Sequence, residues 1–492
     1  MSSNISDRTG RYVFLLTTIF LLVFLSGCEQ KKSDTVKPNI LWIVADDLGT
    51  DLGCYGDSLV YTPNLDKLAK ESVLFENCHT VTAVCSPSRS AMVTGMYPVS
   101  INCHQHRTRP QAMKPLPAGM KVITEYFEDA GYFTFNGNVN NSSKPGKKDY
   151  NFTTDYKIYD GTDWSQRAEG QPFFGQIQIH YPHRPFVRDE ENPVDESKVK
   201  LPSYLPDHPV ARKDWALYLE TIQQVDKKVG KVLKRLIDEG LTGNTYVFFI
   251  GDQGRPMVRN KQFLYTGGTH TPLMVRFPDG KFAGERRKEL VSNIDLSAAS
   301  LVLAGIKIPD YLQGQNFLGD HNPRSELYTM RDRRDETVDR IRAVQDGRYK
   351  YIRNFYSGRP YSQYNAYKRN MYPDLPLMEV LKKQGKLTPA QLAFMSDNRP
   401  AEELYDMQKD PDEVNNLVDN PEYAKIKTGL SAKLNQWLKK ADLATYPEDQ
   451  TEIVFWEKRM AKMDSIWKTR RGLSVDVSNE EYLKWWEEHL KN

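Results

Sequence analysis

Two short runs of this chain are almost continuously apolar, and each ends in acid. Asn39-Ile40-Leu41-Trp42-Ile43-Val44 leads into Asp46-Asp47-Leu48-Gly49, and Tyr246-Val247-Phe248-Phe249-Ile250 leads into Gly251-Asp252-Gln253-Gly254. A short apolar run without alternation reads as a strand buried on both faces, the habit of parallel sheets. Between them, Trp215, Leu219, Ile222, Val225, Val229, Val232 and Leu236 recur at steps of three and four, an amphipathic helix closed by Gly240. Thr62-Pro63-Asn64-Leu65-Asp66 starts another helix, with Thr62 as N-cap and Pro63 at the first helical position. Strands alternating with helices predict an α/β fold with a large, mostly parallel central sheet flanked by helices. Ligands of such sheets collect beyond the carboxyl ends of the strands, which is where both acidic clusters fall.

The N-terminus predicts the compartment. Arg8 and Arg11 precede an apolar run, Tyr12 to Leu25, that ends in Leu25-Ser26-Gly27-Cys28. That run falls short of the roughly 20 residues a membrane-spanning helix needs. A charged start, a short apolar segment and small residues describe a secretory signal. The ending resembles a bacterial lipobox, which implies that Cys28 becomes the lipidated first residue of the mature protein. The alternative is an uncleaved anchor helix. The expected address is the cell envelope, lipid-anchored and facing the periplasm or the outer surface. Residues 1–28 are therefore the signal and 29–37 a polar tether. What remains is enough for two domains and a sizeable core. A net charge of +3 gives no support to nucleic-acid binding.

The texture changes near residue 330. Arg342-Ala343-Val344 and Tyr349-Lys350-Tyr351-Ile352 read as short strands joined by an Asp346-Gly347 turn. With Glu402-Glu403-Leu404-Tyr405-Asp406 and a helix over 422–440, they predict a smaller C-terminal α+β domain. The expected division is 38–330 for the larger domain, 331–445 for the smaller, and 446–492 for a helical extension. That extension carries Trp456, Trp467, Trp485 and Trp486 among many charges. An apolar helical seam is the expectation there, and a ligand platform the alternative.

Within TAVCSPSRSAMVTG, residues Cys85-Ser86-Pro87-Ser88-Arg89 spell C-x-P-x-R. This resembles the signature of the type I, formylglycine-dependent sulfatases of the alkaline phosphatase superfamily, including bacterial polysaccharide sulfatases. Further blocks resemble that family in the same order: 38–49, 54–57, 62–66, 85–95, 173–185, 251–278 and 402–411. The resemblance implies that a sulfatase-maturating enzyme oxidises Cys85 to formylglycine (3-oxoalanine), whose hydrated aldehyde attacks sulfur in a sulfate ester. It also implies one Ca²⁺ per chain, held by Asp46, Asp47, Asp252 and Gln253 together with the modified Cys85. Three carboxylates and an amide oxygen form a hard, all-oxygen set that suits calcium better than zinc. Gln253 departs from the Asn, Asp or His commoner there. Cys85 opens a helix expected over 88–95, and a helix N-terminus is an anion site. Arg89, by resemblance, holds the aldehyde hydrate.

Other roles are carried over residue by residue. Lys261, ahead of Tyr265-Thr266-Gly267-Gly268, matches a sulfate-binding lysine. His183 in Tyr181-Pro182-His183-Arg184-Pro185 matches a sulfate-contacting histidine, with His180 in the same block. One block departs from the family. Gly131-Tyr132-Phe133-Thr134 is followed by Asn138 where a lysine is usual, and the partner histidine is missing. Lys147 takes the lysine role, with Lys148 as its rival. The missing leaving-group acid is left to His104, His106 or His180. His104, His106 and Arg107 are candidate substrate contacts. So are Arg331 and Arg333, beside Arg334, because arginine recognises sulfate and carboxylate bidentately; a solvated charge run is the alternative. With Cys28 and Cys85 modified, Cys54, Cys78 and Cys103 allow at most one disulfide.

The expected function is hydrolysis of a sulfate ester on a sulfated carbohydrate. The alternatives are a phosphodiesterase or phosphonate hydrolase of the same superfamily, and an inactive lipoprotein that binds sulfated glycans.

Overall fold

Strand β1 (Asn39–Asp46) is buried along its whole length and runs through the middle of the larger sheet in this computed structural model, which describes residues 36–490. Cys28, the signal and most of the tether lie outside the described residues. Ile40, Trp42 and Val44 point to one face of the sheet and Leu41, Ile43 and Ala45 to the other. Both faces are covered, which is why the run carries no polar alternation.

The other strands of this sheet are β2 (Val73–His79), β3 (Phe133–Asn138), β4 (Asn141–Pro145), β5 (Phe173–Pro182), β6 (Thr245–Gly251), β7 (Leu273–Arg276) and β8 (Arg286–Ser292). Their order is β4-β3-β5-β1-β6-β7-β2-β8. The four central strands β3, β5, β1 and β6 are parallel, so their carboxyl ends share one edge. Antiparallel β7 reverses the direction, and β4 folds back on β3 as the far edge. Helices α1 (Pro63–Lys70), α2 (Cys85–Thr94), α3 (Ile123–Asp129), α4 (Pro209–Asp238) and α5 (Asp295–Leu303) flank the sheet. Trp215, Leu219 and Ile222 of α4 pack in one core; Met92 and Val93 of α2, Phe127 of α3 and Leu296 of α5 pack in the other.

Two helix starts differ from the sequence expectation. Thr62 precedes α1, but its hydroxyl accepts from the Gly53 N–H at 3.0 Å and does not cap the helix. Helix α2 begins at Cys85, three residues before the expected Ser88, and all of it is buried. Cys85 therefore sits in the first turn, among the unpaired N–H groups of the helix. At the end of α4, Gly240 adopts φ +67°, the left-handed position that lets the chain leave the helix.

A second, antiparallel sheet has the order β12-β11-β10-β9, with β9 (Leu327–Arg331), β10 (Ile341–Gln345), β11 (Tyr349–Asn354) and β12 (Glu402–Asp406). Its first strand starts at Leu327, just ahead of the expected boundary. The Asp346-Gly347 turn forms, with Gly347 at φ +90° and Asp346 Oδ1 accepting from the Tyr349 N–H at 2.8 Å. Helices α6 (Ala366–Met371) and α7 (Asp374–Lys383) precede β12, and α8 (Ala424–Ala441) packs on β10 and β11. Beyond it, α9 (Gln450–Arg470) lies against α6 and α10 (Asn479–His489) against α7. No described helix is long and apolar enough to cross a membrane.

Candidate active site

Because β1, β5 and β6 are parallel, Asp46, His183 and Asp252 arrive at one edge of the sheet although they are far apart in sequence. Asp47 turns the chain off β1 with φ +66°, and its N–H donates to Asp252 Oδ1 at 2.9 Å. Asp46, Asp47, Asp252 and Gln253 are fully buried, and Cys85 nearly so. The ligand atoms of Asp46, Asp47 and Cys85 lie within 4.8 Å of one another. Gln253 Nε2 donates to Asp47 Oδ1 and lies 3.5 Å from Cys85 Sγ.

Each carboxylate meets its own cation. Lys147 Nζ donates to Asp46 Oδ2 at 2.8 Å, Lys261 Nζ to Asp47 Oδ2 at 2.5 Å, and Arg89 Nε to Asp252 Oδ2 at 2.8 Å. Arg89 is fixed further by Gln178 Oε1 on β5, at 2.5 Å. Burial acts to raise the Asp46 carboxyl, but Lys147 and its other cationic neighbours hold it well below the usual range. Burial pushes Asp252 up to about 7, against the pull of Arg89 and with Asp46 adding to the rise. Burial likewise pushes the Cys85 thiol up to about 12, despite Lys147 and Lys261. As encoded, Cys85 is a poor nucleophile, since the thiolate is the reactive form.

A cation fits this donor set. Two buried oxygens, Asp46 Oδ1 and Gln253 Oε1, accept no hydrogen bond among the described residues. The Gln253 amide turned over would present Oε1 where Nε2 now points. Three carboxylates balanced by three cations leave the cluster neutral, and a divalent ion would make it positive. An added cation would also offset the burial and the Asp46 charge that raise Asp252.

Above Cys85 lies a cavity of about 340 Å³ lined by His106, Arg107, His183 and Lys261. The His183 ring pairs Nδ1 with the Arg184 carbonyl at 2.7 Å, leaving Nε2 3.9 Å from Asp47 Oδ2. His180 is largely exposed at the end of β5, with Nδ1 3.4 Å from Asp46 Oδ2. His106 Nδ1 lies 3.5 Å from Asp335 Oδ1. A nitrogen of its ring is within 4.8 Å of both Cys85 Sγ and an Asp149 oxygen.

The Sulfatase family model matches residues 38–306, and the model for N-sulphoglucosamine sulphohydrolase, C-terminal, matches residues 257–384. An ulvan-active sulfatase of Formosa agariphila is 34% identical over 474 residues, spanning 85% of this chain and 78% of that protein. The chain belongs to the sulfatase family. It is a sulfuric ester hydrolase with the fold of the alkaline phosphatase superfamily. Human N-sulphoglucosamine sulphohydrolase is 27% identical, spanning 85% of this chain and 92% of its own. Among solved structures, one in complex with its substrate D-glucosamine-2-N,6-O-disulfate aligns with a TM-score of 0.60 at 17% identity, covering 84% of this chain and all of that one. The phosphonate monoester hydrolase of Agrobacterium radiobacter aligns with a TM-score of 0.60 at 18% identity, covering 82% and 96%, and shares the fold.

Three expected substrate contacts are elsewhere. His104 is enclosed among Asp332, Arg342 and Asp442, away from the Cys85 cavity, and burial lowers it to about 4. Arg331 is buried against the Phe263 ring, 3.6 Å from Asp339. Arg333 is also buried and spends its donors on Glu448 and on the Asp335 and Arg107 carbonyls. Both arginines are buried, so they do not form a solvated charge run; Arg331 is held by Asp339 and Arg333 by Glu448, just ahead of α9. Lys148 points to the Tyr159 ring, whereas Lys147 reaches Asp46. Cys54, Cys78 and Cys103 are free thiols, so the permitted disulfide does not form.

Asp149, Asp335 and Tyr367 were not among the expected site residues, whereas Trp456 and Trp467 stood there as a seam with a ligand platform as the alternative. Asp149 pairs with Arg107 at 2.7 Å, and Asp335 backs His106. Tyr367, Trp456 and Trp467 also line the cavity. Asp149 sits beside the Lys147-Lys148 pair that was singled out; the others come from segments where only the fold brings them near Cys85.

Proposed function

We propose that this sulfatase hydrolyses a sulfate ester on a sulfated carbohydrate through a formylglycine made from Cys85, with one Ca²⁺ bound by Asp46, Asp47, Asp252 and Gln253. The observation that carries this reading is the placement of Cys85, in the first turn of α2, against three buried carboxylates paired with Lys147, Lys261 and Arg89. Converted to formylglycine, position 85 supplies the nucleophilic oxygen, and Ca²⁺ supplies a fixed positive charge beside it.

The remaining work belongs to the side chains. Lys147 and Lys261 place ammonium groups over the cluster, where they neutralise sulfuryl oxygens, and Arg89 holds the modified residue in register. The first turn of α2 adds backbone N–H groups and the positive end of its dipole. His183, locked by its Nδ1 bond to Arg184, presents Nε2 to the sulfate. His106, backed by Asp335 and facing the same cavity as Cys85, protonates the departing sugar oxygen. It thereby replaces the histidine absent from the block around Asn138.

The relatives support the carbohydrate class: one acts on ulvan, another on N-sulphoglucosamine, and a structural neighbour holds a disulfated glucosamine as substrate. Turnover of matched aryl sulfate and phosphate diesters, then of sulfated saccharides, tests the reading. A preference for the phosphate diester would transfer it to the phosphonate hydrolase branch. Calcium is expected to raise the melting temperature of the protein and not that of Asp252→Asn; equal shifts would remove the metal assignment. We further propose lipid anchoring at Cys28 in the cell envelope, supported by the lipobox-like ending, and expect fatty-acid labelling to be lost in Cys28→Ser.

A further inference from the structure

Helix α9 is the part of the cavity wall that lies beyond the residues either family model matches. Trp456, Met460, Met463 and Trp467 follow one another at steps of four, three and four, so they share one face of that helix. That face lines the cavity over Cys85, on the same wall as Tyr367. It is held from behind. Glu452 accepts from the Arg109 backbone at 3.2 Å and from its side chain at 2.5 Å, and Asp464 accepts from Asn370 Nδ2 of α6 at 2.6 Å. A wall fixed in this way loses little freedom when a ligand settles on it.

Its chemistry is specific. Two indoles and two thioethers form an apolar surface, with two unpartnered polar atoms buried behind it. The Trp456 indole N–H, more than nine-tenths buried, meets no acceptor among the described residues, and neither does the buried Tyr367 hydroxyl have a partner there. The apolar indole and thioether face suits the flat C–H face of a pyranose ring. Arg459, on the flank of the same face and lining the same cavity, has no carboxylate partner among the described residues. The neighbouring cations are committed, Arg107 to Asp149, Lys261 to Asp47 and Arg333 to Glu448. Arg459 lies over the Trp456 ring, 5.8 Å from its centroid.

We propose that α9 forms a subsite for the sugar next to the sulfated one, with Trp456, Trp467 and Met463 under its ring and Arg459 binding an anionic substituent on it. The substrate is then an acidic oligosaccharide, its second residue carrying a carboxylate or a further sulfate. This deepens the carbohydrate reading above and rests on it. Guanidinium takes either anion through two parallel hydrogen bonds.

The test uses the matured full-length enzyme and four substrates with the same sulfated sugar: the monosaccharide, and disaccharides whose second ring is neutral, carboxylated or sulfated. The wild-type enzyme is expected to prefer an anionic second ring. In Arg459→Gln the ratio of kcat/KM on the anionic disaccharide to that on the neutral one falls about tenfold, mostly through KM, and Arg459→Lys restores part of it. In Trp467→Ala the ratio of neutral disaccharide to monosaccharide falls instead. Comparing the carboxylated and sulfated arms identifies the anion. Ratios that match the wild type in both variants would overturn the subsite and leave the carbohydrate reading standing. Turnover of an aryl sulfate but of no saccharide would overturn both.

Discussion

His104 and His106 stand two residues apart, yet only His106 faces the Cys85 cavity. A sequence offers the pair as equals, because what separates them is contact with Asp332, Arg342 and Asp442 for one and with Asp335 for the other. The same reason explains Arg331 and Arg333, whose clustering suggested a surface for anions and whose partners come from residues 339 and 448. Asp46, Asp47 and Asp252 were legible because each stands at or just past the end of a buried strand of a parallel sheet, and that geometry alone sends them to a common edge. If His106 is the leaving-group acid, His106→Asn should lower kcat on sulfated sugars by roughly 10²- to 10⁴-fold. Hydrolysis of 4-nitrophenyl sulfate, whose leaving group needs no proton, should fall far less. Equal losses on both would argue against this role, and the same pattern in His180→Asn instead would move the role there.

At the scale of elements, the β3–β4 hairpin explains how Lys147, the proposed substitute for the lysine missing near Asn138, reaches Asp46. The chain returns antiparallel to β3 and passes Gly146, whose N–H donates to the Asn136 carbonyl at 2.9 Å, before delivering Lys147 to Asp46. A Cβ at position 146 would stand 2.4 Å from the Gly137 carbonyl and 2.5 Å from Gln178 Cγ. Gly146→Ala is therefore expected to displace Lys147, cost about 1–3 kcal/mol of stability and lower kcat roughly ten- to hundredfold. Unchanged kcat with intact Asp46–Lys147 contact in a structure of the variant would refute this. The strands and the long helix were readable from apolar spacing. Helix α9 was readable as a helix whose tryptophans form either a seam or a ligand platform: they pack with Met460 and Ala366 as a seam and also border the cavity, and only the docking on α6 makes both true.

Across the whole molecule, burial of ionisable groups ties stability to pH in opposite directions. His104 is lowered to about 4 by burial, and His79 well below its usual value by burial and by stacked His270. Such groups bind protons more readily when unfolded, so their stabilising contribution is full above about pH 6.5 and is lost as pH falls toward the folded value. Glu336 and Asp374, raised by burial to about 7 and about 8, act with the opposite sign. The histidine contribution is isolated by difference. Relative to the parent, His104→Leu should gain about 2 kcal/mol between pH 6.5 and 5 in denaturant unfolding; a constant difference would show that His104 is not buried neutral. Fold and sulfatase family follow from the chain at large, whereas the proposed chemistry rests on a change to one residue. The most direct measurement is mass spectrometry of the peptide containing Cys85, taken from active enzyme matured in a host with a sulfatase-maturating enzyme. An aldehyde in place of the thiol is expected, in proportion to specific activity; full sulfate-ester turnover from protein whose Cys85 is entirely thiol would contradict the account.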